Sequence, residues 1–187
     1  MNANAATPDS RAFRDALGLF ATGVAVVATE VDGHVHAMTA NAVSSLSLDP
    51  MMVLFCPAKK ARFSAHIAAA ERFSINFLRD DQEVLSTYFA GGWKEAAPPP
   101  FRFVHVDGTP RLEGSLAAVV GVKHRVHDSG DHWLVVVEVR HIHRGIEPHR
   151  PLVFFRGQYA RVDRLPGHAG PDLLSAADEP AQMFYHD

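Results

Sequence analysis

A run of small and hydroxyl-bearing residues, HAMTANAVSSLSLDP at positions 36–50, lies between two apolar, strand-like stretches and carries almost no charge. A turn needs two to five residues, so we expect this longer run to be a loop that does more than connect two strands. Small side chains let a flat ligand approach the main chain, and closely spaced backbone N–H and hydroxyl groups suit a polar heterocycle or a phosphate. On the same grounds, a serine-rich loop that bonds only to itself explains these residues equally well. The hydroxyl and amide side chains of the run are those of Thr39, Asn41, Ser44, Ser45 and Ser47.

Three cationic side chains, Lys59, Lys60 and Arg62, follow the apolar stretch MMVLFC within four residues of one another. Such a cluster suits a phosphate or a pyrophosphate. The alternative is an exposed basic start of a helix, where the helix dipole disfavours cations.

Histidines crowd one predicted hairpin and raise the alternative of a metal site. The hairpin carries His124, His127, His132, His141 and His143. His141 and His143 would share one strand face and supply two ligands, whereas a zinc or iron site needs a third that the sequence does not indicate. We therefore rank a metal site low.

The composition of the chain limits the classes of protein to which it can belong. The chain has 187 residues, 47% of them hydrophobic, and a formal net charge of −3, which favours one globular domain and argues against a nucleic-acid binder. One cysteine, Cys56, excludes an internal disulfide and lies in an apolar run that favours a buried, inert thiol. No apolar run reaches the length of a membrane span and no signal peptide is evident, so we expect a cytoplasmic protein with no membrane partner.

The elements that must position these residues are mostly strands. We expect a helix from Asp9 or Ser10 that stops near Gly23, a hairpin about Asp32-Gly33, and a long hairpin about the DSGD turn at 128–131. Two further helices are predicted, an amphipathic one over 59–73 and one over 80–90 capped by Asp80 or Asp81. About seven strands joined mainly as hairpins, with two or three peripheral helices, predict a mainly β fold in which an antiparallel, Greek-key-like sheet closes into a barrel.

The chain is predicted to form one domain over residues 11–164. Residues 1–10 are expected to be a disordered N-terminus. Residues 165–187 are small, acidic and rich in Pro and Gly, and read as a C-terminal tail. Apolar residues of this tail could dock on the neighbouring copy of a dimer; they are Leu173, Leu174, Phe184 and Tyr185.

Five ordered motifs over residues 11–162 resemble the flavin reductase-like family, the short-chain reductases that supply reduced flavin to two-component monooxygenases. The motifs are GVAVVAT with HAMTANAVSSLSLDPMM, then ERFSINFL, LSTYFAG, GTPRLEGSLAAVVGVKHRVHDSGDHWLVVVEV, and PLVFFRGQYARV. The chain departs from the family pattern at Ala37, where Gly is frequent, at Met51, where a second Pro is usual, and at KKAR, where small hydroxyl residues are frequent. The Pro-rich stretch KEAAPPPF is a further departure.

The resemblance implies a split β-barrel that forms a homodimer and binds FMN or FAD near the subunit interface. It implies an NAD(P)H:flavin oxidoreductase that takes hydride from NADH or NADPH and passes reduced flavin to a separate flavin-dependent monooxygenase. Backbone N–H and hydroxyl groups from Thr39 to Ser47 would stabilise the negative charge that reduction places on the isoalloxazine, and Asn41 would bond its pyrimidine edge.

Residue by residue, the resemblance places His132 in the nicotinamide pocket, although a solvated turn histidine explains it as well. The segment 59–62 is placed at the flavin phosphate. Core packing remains the alternative for Phe89 and Tyr159. The implied flavin-binding residues are Met38, Thr39, Ala40, Asn41, Ser44, Ser45, Leu46, Ser47, Cys56, Lys59, Lys60, Ala61, Arg62, Phe89, Ala90, Gly91 and Tyr159.

Two rival functions remain open at this point. A protein that binds flavin without turning over nicotinamide would carry the same motifs. A metal-binding β-barrel would use the histidine-rich hairpin instead.

Overall fold

A computed structural model describes residues 9–145 and 149–162. These residues form two α-helices, α1 (Ser10–Leu17) and α2 (Glu83–Phe89), and a 3-10 helix, Arg62–His66. They also form twelve strands: β1 (Thr22–Gly23), β2 (Ala25–Val31), β3 (His34–Ala40), β4 (Val43–Leu48), β5 (Met51–Phe55), β6 (Arg72–Phe77), β7 (Phe103–Val106), β8 (Thr109–Leu112), β9 (Ala117–Ser129), β10 (His132–Arg144), β11 (Leu152–Phe155) and β12 (Gln158–Arg161). No helix among the described residues is long and apolar enough to cross a membrane.

Seven strands form one antiparallel sheet in the order β3-β2-β6-β9-β10-β5-β4. Its two end strands, β3 and β4, follow each other in the chain and are joined only by Asn41 and Ala42. The Cys56 N–H donates to the Ala42 carbonyl at 3.0 Å, which brings β5 to this junction. The two edge strands of the sheet therefore meet at the link between β3 and β4, and the sheet closes into the predicted antiparallel split barrel. Two small sheets, β1-β11-β12 and β7-β8, pack outside it.

Strand β2, which lies between β3 and β6, is buried on both faces because each face packs on a separate core. Val27 belongs to the core inside the barrel, where the rings of Phe55 and Phe73 meet edge to face with centroids 5.3 Å apart. Val26 points the other way, into a second core with Leu85 of α2. The second core holds α2 against the outside of the barrel.

One buried amide links the small β7-β8 sheet to the barrel. The Asn76 amide nitrogen donates to the Val26 carbonyl at 2.8 Å and to the Ser74 hydroxyl at 2.9 Å. Its side-chain oxygen accepts from the Leu112 N–H at 2.9 Å. Asn76, part of the ERFSINFL motif, is thus a satisfied structural residue.

The prediction of a loop between the hairpin strand HVHAM and Pro50 is wrong. Positions 36–50 form the last five residues of β3, a two-residue link and all of β4. The Asp49-Pro50 turn, whose peptide bond is cis, then leads into β5. Pairing with β2 and β5 satisfies one side of the backbone of this run, and small hydroxyl residues are tolerated because both strands lie at sheet edges. The free edge groups of β3 and β4 thereby stay available to a ligand.

The predicted amphipathic helix over 59–73 is also wrong, since only the 3-10 helix forms there. The start of this segment is drawn onto the β9–β10 hairpin, where Ala58 bridges His132 and the Lys59 N–H donates to the Asp131 carbonyl at 2.9 Å. At the other end, the Lys123 ammonium donates to two carbonyls of the segment, those of Ile67 and Ala68. These tertiary contacts outweigh the local helical pattern.

The helix boundaries differ from the predicted ones in two places. Asp9 caps α1 as expected, but the helix ends at Leu17, and Gly23 lies in β1. The residue before α2 is Gln82, and Asp81 instead accepts two bonds from the Arg79 guanidinium, which lowers the pKa of Asp81.

The two predicted hairpins are confirmed. At Asp32-Gly33 both residues have positive φ, as a tight β2–β3 turn requires, and β9 pairs with β10 about Gly130. The estimate of about seven strands was too low. The expectations for residues 1–8 and 163–187 lie outside the described residues.

Candidate functional site

A small cleft of about 180 Å³ lies between β3, α2 and the β11-β12 hairpin. We call it the hydroxyl cleft; it is lined by Val24, Thr39, Ala40, Asn41, Ser86, Ala90, Phe154 and Tyr159. The Thr39 hydroxyl donates to the Ser86 carbonyl at 2.6 Å, and the Ser86 and Tyr159 hydroxyls lie 2.8 Å apart. Five of the predicted residues therefore meet here: Thr39, Ala40, Asn41, Ala90 and Tyr159.

Ser86 lines the hydroxyl cleft, and the sequence analysis did not single it out. Its side chain is fully buried, and it contacts both Thr39 and Tyr159 across the cleft. The signal was present, because Ser86 is the serine of the LSTYFAG motif. Its contacts with residues 47 and 73 positions away could not be inferred from that motif.

A larger cleft of about 660 Å³ lies between α1 and the β4–β5 strands, and we call it the α1 cleft. It brings together Asn41, Ser44 and Cys56 from the predicted set, with Phe13 and Leu17 of α1 on the far wall. Asn41 and Phe154 line this cleft and the hydroxyl cleft, so the two are continuous. Burial raises the pKa of the Cys56 thiol, which keeps it protonated at neutral pH and unsuited to act as a nucleophile.

A third cavity of about 580 Å³ lies beside the C-terminal end of α2, and we call it the aromatic bowl. Its lining includes three predicted residues, Arg62, Phe89 and Gly91. The rings of His36 and His66 also line it, stacked with centroids 3.5 Å apart. The remaining lining residues are Val35, Ala37, Phe63, Tyr88, Trp93, Phe101 and Phe103.

The predicted cationic cluster does not converge on one point. The Lys59 ammonium lies 2.7 Å from the Asp128 carboxylate and 4.7 Å from the centre of the Trp133 ring. Lys60 is exposed near Asp131. Arg62 instead faces the bowl, where a Cβ on Gly91 would lie 4.0 Å from its guanidinium. Ala61 immediately precedes the 3-10 helix, and its N–H donates to the Ala58 carbonyl.

His132 opens β10 and lines none of the three cavities. Its Nδ1 lies 2.7 Å from the Asp131 carboxylate, and this hydrogen bond is the main reason why the pKa of Asp131 is lowered. The Trp133 N–H donates to the Pro57 carbonyl at 2.9 Å, which holds the segment that contains Lys59 and Lys60 against the β9–β10 hairpin. The structure thus groups His132 with Lys59 and Lys60 and not with the hydroxyl cleft.

Other predicted residues lie around these cavities. Met38 packs against the barrel core. Ser44 and Ser45 are exposed on β4, where the register shifts between Ser45 and Ser47 so that Leu46 is left unpaired. The roles predicted for all of these residues stay predictions.

The histidine-rich hairpin gathers no metal centre within the described residues, since no group of three or more His, Cys, Asp or Glu side chains comes together there. His141 instead lies 3.7 Å from the Asp107 carboxylate.

The donor set at the junction of the two clefts fits a flavin. The Asn41 side chain is exposed and makes no hydrogen bond to any described residue, so its amide can donate and accept. The free edge of β3 adds backbone donors and acceptors beside it. An isoalloxazine edge alternates acceptors and donors in the same way.

Comparison with known proteins agrees with this chemistry. The family described as flavin reductase like domain matches residues 17–163. HsaB, the reductase subunit of a flavin-dependent monooxygenase from Mycobacterium tuberculosis, is 37% identical over 176 residues, which cover 88% of this chain and 90% of that protein. An NADH-dependent flavin reductase from a Rhodococcus species is 39% identical over 155 residues, which cover 81% of this chain and 86% of that protein.

Solved structures show the same fold. The flavin reductase PheA2 in its native state superimposes with a TM-score of 0.78 at 39% identity, covering 84% of this chain and 100% of that one. The matched region contains β3, α2 and the β11-β12 hairpin, which build the hydroxyl cleft. This chain belongs to the flavin reductase-like domain family.

Proposed function

We propose that this protein is an NAD(P)H-dependent flavin reductase that supplies reduced FMN or FAD to a separate flavin-dependent monooxygenase. The observation that carries the proposal is the hydroxyl cleft, where Thr39, Ser86 and Tyr159 from three separate family motifs form one chain of hydrogen bonds beside the free amide of Asn41. Family relatives that are named as NADH-dependent reductases or as monooxygenase reductase subunits support the same reaction.

When bound, flavin supplies the redox chemistry, because its isoalloxazine accepts hydride from a reduced nicotinamide. The part of this chain is to bind and orient. Asn41 and the edge of β3 would hold the polar edge of the ring system, where donors favour the negative charge that develops on reduction. Arg62 would hold a phosphate. None of these roles needs a strong acid or base.

Binding is reversible in this proposal, as delivery to a second protein requires. Burial raises the pKa of the single cysteine, Cys56, which disfavours the thiolate that a covalent thioether to flavin would require. A lone cysteine also suits a reducing compartment, and we place the reaction in the cytoplasm.

Anaerobic stopped-flow absorbance tests the reaction. Protein saturated with FMN or FAD should be bleached when NADH or NADPH is added, and admission of air should restore the colour. Flavin that binds but is bleached by neither nicotinamide would favour the rival reading of a flavin-binding protein without turnover, and would overturn the reductase.

We further propose that the protein is a homodimer with the flavin at the subunit seam. Large apolar side chains of the α1 region are exposed beside the α1 cleft, with Phe13 at 62% and Phe20 at 72% exposure. On the facing edge strand, Leu46 and Leu48 are also exposed. A second copy would cover this surface. Light scattering that finds a flavin-bound monomer at micromolar concentration would contradict this.

A further inference from the structure

The aromatic bowl has a chemistry that hydride transfer alone does not require. Five aromatic side chains from the end of α2 to the start of β7 form its wall: Tyr88, Phe89, Trp93, Phe101 and Phe103. Their rings contact one another edge to face or tilted, with centroids 5.0 Å apart for Phe89 and Phe101 and 6.4 Å apart for Tyr88 and Trp93. A continuous aromatic wall of this kind is suited to stacking a planar base.

The wall is held in place and is still accessible. The Trp93 indole N–H donates to the Ala97 carbonyl at 2.8 Å, and the Gly92 N–H donates to the Thr87 carbonyl at 3.0 Å, which fixes the loop to the end of α2. Phe101 keeps 36% of its surface exposed despite its contacts with Tyr88 and Phe89. An ordinary satellite core would cover these ring faces more completely.

The charge of the bowl is positive. Arg62 lines it and makes no ion pair with any described residue, whereas nearby Lys59 is paired with Asp128. No Asp or Glu is among the residues that line the bowl. A guanidinium without a carboxylate beside an aromatic wall suits a ligand that carries a base and a phosphate.

The bowl lies next to the hydroxyl cleft. Ala37 lines the bowl and Thr39 lines the cleft, and residues two apart on a strand share one face and lie about 7 Å from each other. On the other side, Ala90 lines the cleft while its neighbours Phe89 and Gly91 line the bowl. A molecule that extends from the cleft therefore enters the bowl past Arg62.

We propose that the aromatic bowl binds the AMP half of a dinucleotide, with the adenine on the rings of Trp93 and Phe101 and the phosphates at Arg62. This rests on the proposed function, which brings two dinucleotides to the site. FAD and NADH both carry an AMP half, and FMN, riboflavin and reduced nicotinamide mononucleotide do not. The bowl thereby makes Trp93 a residue that selects dinucleotides over the shorter cofactors.

The test compares wild-type protein with Trp93→Ala in fluorescence titrations of FAD, FMN and riboflavin, and in the KM for NADH and for reduced nicotinamide mononucleotide. We expect Trp93→Ala to bind one or both dinucleotides roughly tenfold more weakly than wild type. Its affinity for FMN and riboflavin, and its KM for reduced nicotinamide mononucleotide, should stay within about twofold of the wild-type values. A changed ratio of the affinities for FAD and FMN identifies FAD as the occupant of the bowl. A changed ratio of the KM values for NADH and reduced nicotinamide mononucleotide identifies NADH.

Two further variants separate stacking from damage to the fold. Trp93→Phe keeps an aromatic face, and its ratios should stay within about threefold of wild type. Phe155→Ala removes a phenyl ring with the same 36% exposure as Phe101 but outside the bowl, and should leave both ratios unchanged. If neither ratio moves in Trp93→Ala, the subsite is overturned.

Saturation-transfer NMR with AMP alone tests the bowl without flavin chemistry. Signals from the adenine protons are expected with wild-type protein and should fall sharply with Trp93→Ala. If wild-type protein shows no bleaching by nicotinamide while the AMP signal still depends on Trp93, the proposed reductase fails and the subsite stands. An AMP signal that is equal in both proteins also rejects the subsite.

Discussion

The hydroxyl groups of Ser86 and Tyr159 lie 2.8 Å apart and join α2 to the β11-β12 hairpin across the hydroxyl cleft. Ser86 also accepts, at its carbonyl, the hydrogen bond from Thr39 at 2.6 Å. One buried residue of α2 therefore contacts both the end strand of the barrel and the small outer sheet. These two bonds set the width of the cleft.

Removing the Tyr159 hydroxyl should loosen the cleft. We expect Tyr159→Phe to lower the free energy of unfolding by about 1 kcal/mol, since the Ser86 hydroxyl loses its partner. Flavin affinity should fall several-fold. Urea unfolding and fluorescence titration measure the two effects. Tyr88→Phe is the control for the unfolding measurement, because the Tyr88 hydroxyl makes no hydrogen bond to a described residue. The prediction is wrong if both variants have the same stability.

Phosphate recognition should depend on Arg62 more than on Lys59. We expect Arg62→Gln to weaken the binding of FMN by about 1–3 kcal/mol and to leave the binding of riboflavin nearly unchanged, because only FMN carries the phosphate. Lys59→Gln should do less, since Lys59 is already paired with Asp128. Isothermal titration with both flavins measures the difference. Equal weakening of FMN and riboflavin in a Lys60→Ala/Arg62→Ala double variant would exclude a phosphate clamp.

The histidine at the hairpin turn should affect nicotinamide and not flavin. His132→Ala is expected to raise the KM for NAD(P)H or to slow hydride transfer, while flavin affinity stays within about threefold, because His132 lines neither cleft. Steady-state and stopped-flow kinetics separate these effects. Asp131→Asn, which weakens the bond to Nδ1, should give a smaller change of the same kind. Loss of flavin with unchanged nicotinamide kinetics would refute the role.

A close backbone contact should make Gly121 intolerant of any side chain. A Cβ at this position would lie 2.1 Å from the Glu138 carbonyl oxygen on β10. We expect Gly121→Ala to destabilise the fold by about 2–3 kcal/mol. Gly23→Ala is a matched control, because a Cβ at Gly23 meets nothing within 4 Å. Chemical denaturation of the two variants should show a clear difference, and similar midpoints would contradict the contact.

The stacked pair of His36 and His66 should make the fold sensitive to acid. Burial, followed by the neighbouring His66 and His34, lowers the pKa of His36 in the folded state. The unfolded chain then binds the proton more readily, so stability that is complete above the unfolded pKa of about 6.5 is lost as the pH falls below it.

His36→Phe keeps a ring in the stack and removes the titrating group. Its Tm should therefore fall less than that of wild type between neutral and mildly acidic pH. Differential scanning calorimetry across this pH range measures the slope of Tm against pH for each protein. His34→Phe removes only the smallest of the three effects that lower the pKa of His36, so it should change the slope less than His36→Phe does. A wild-type slope in His36→Phe would show that the pair does not govern acid stability.

Local sequence was sufficient for some of the fold. The turns at Asp32-Gly33 and about Gly130 were predictable because positive φ is a property of those residues themselves. Asp9 was predictable as a helix cap for the same local reason. The ordered motifs identified the family, since their order and spacing along 11–162 are written directly in the chain.

The tertiary structure alone decided how the motif residues are arranged. The run at 36–50 became two edge strands because β2 and β5 paired with it, and the segment 59–73 lost its helix because the β9–β10 hairpin bound its start. The cationic residues diverged for the same reason, with Lys59 drawn to Asp128 and Arg62 left facing the bowl. Partners far apart in sequence are chosen by packing, and no local pattern encodes which edge, helix or hairpin will lie beside a given side chain.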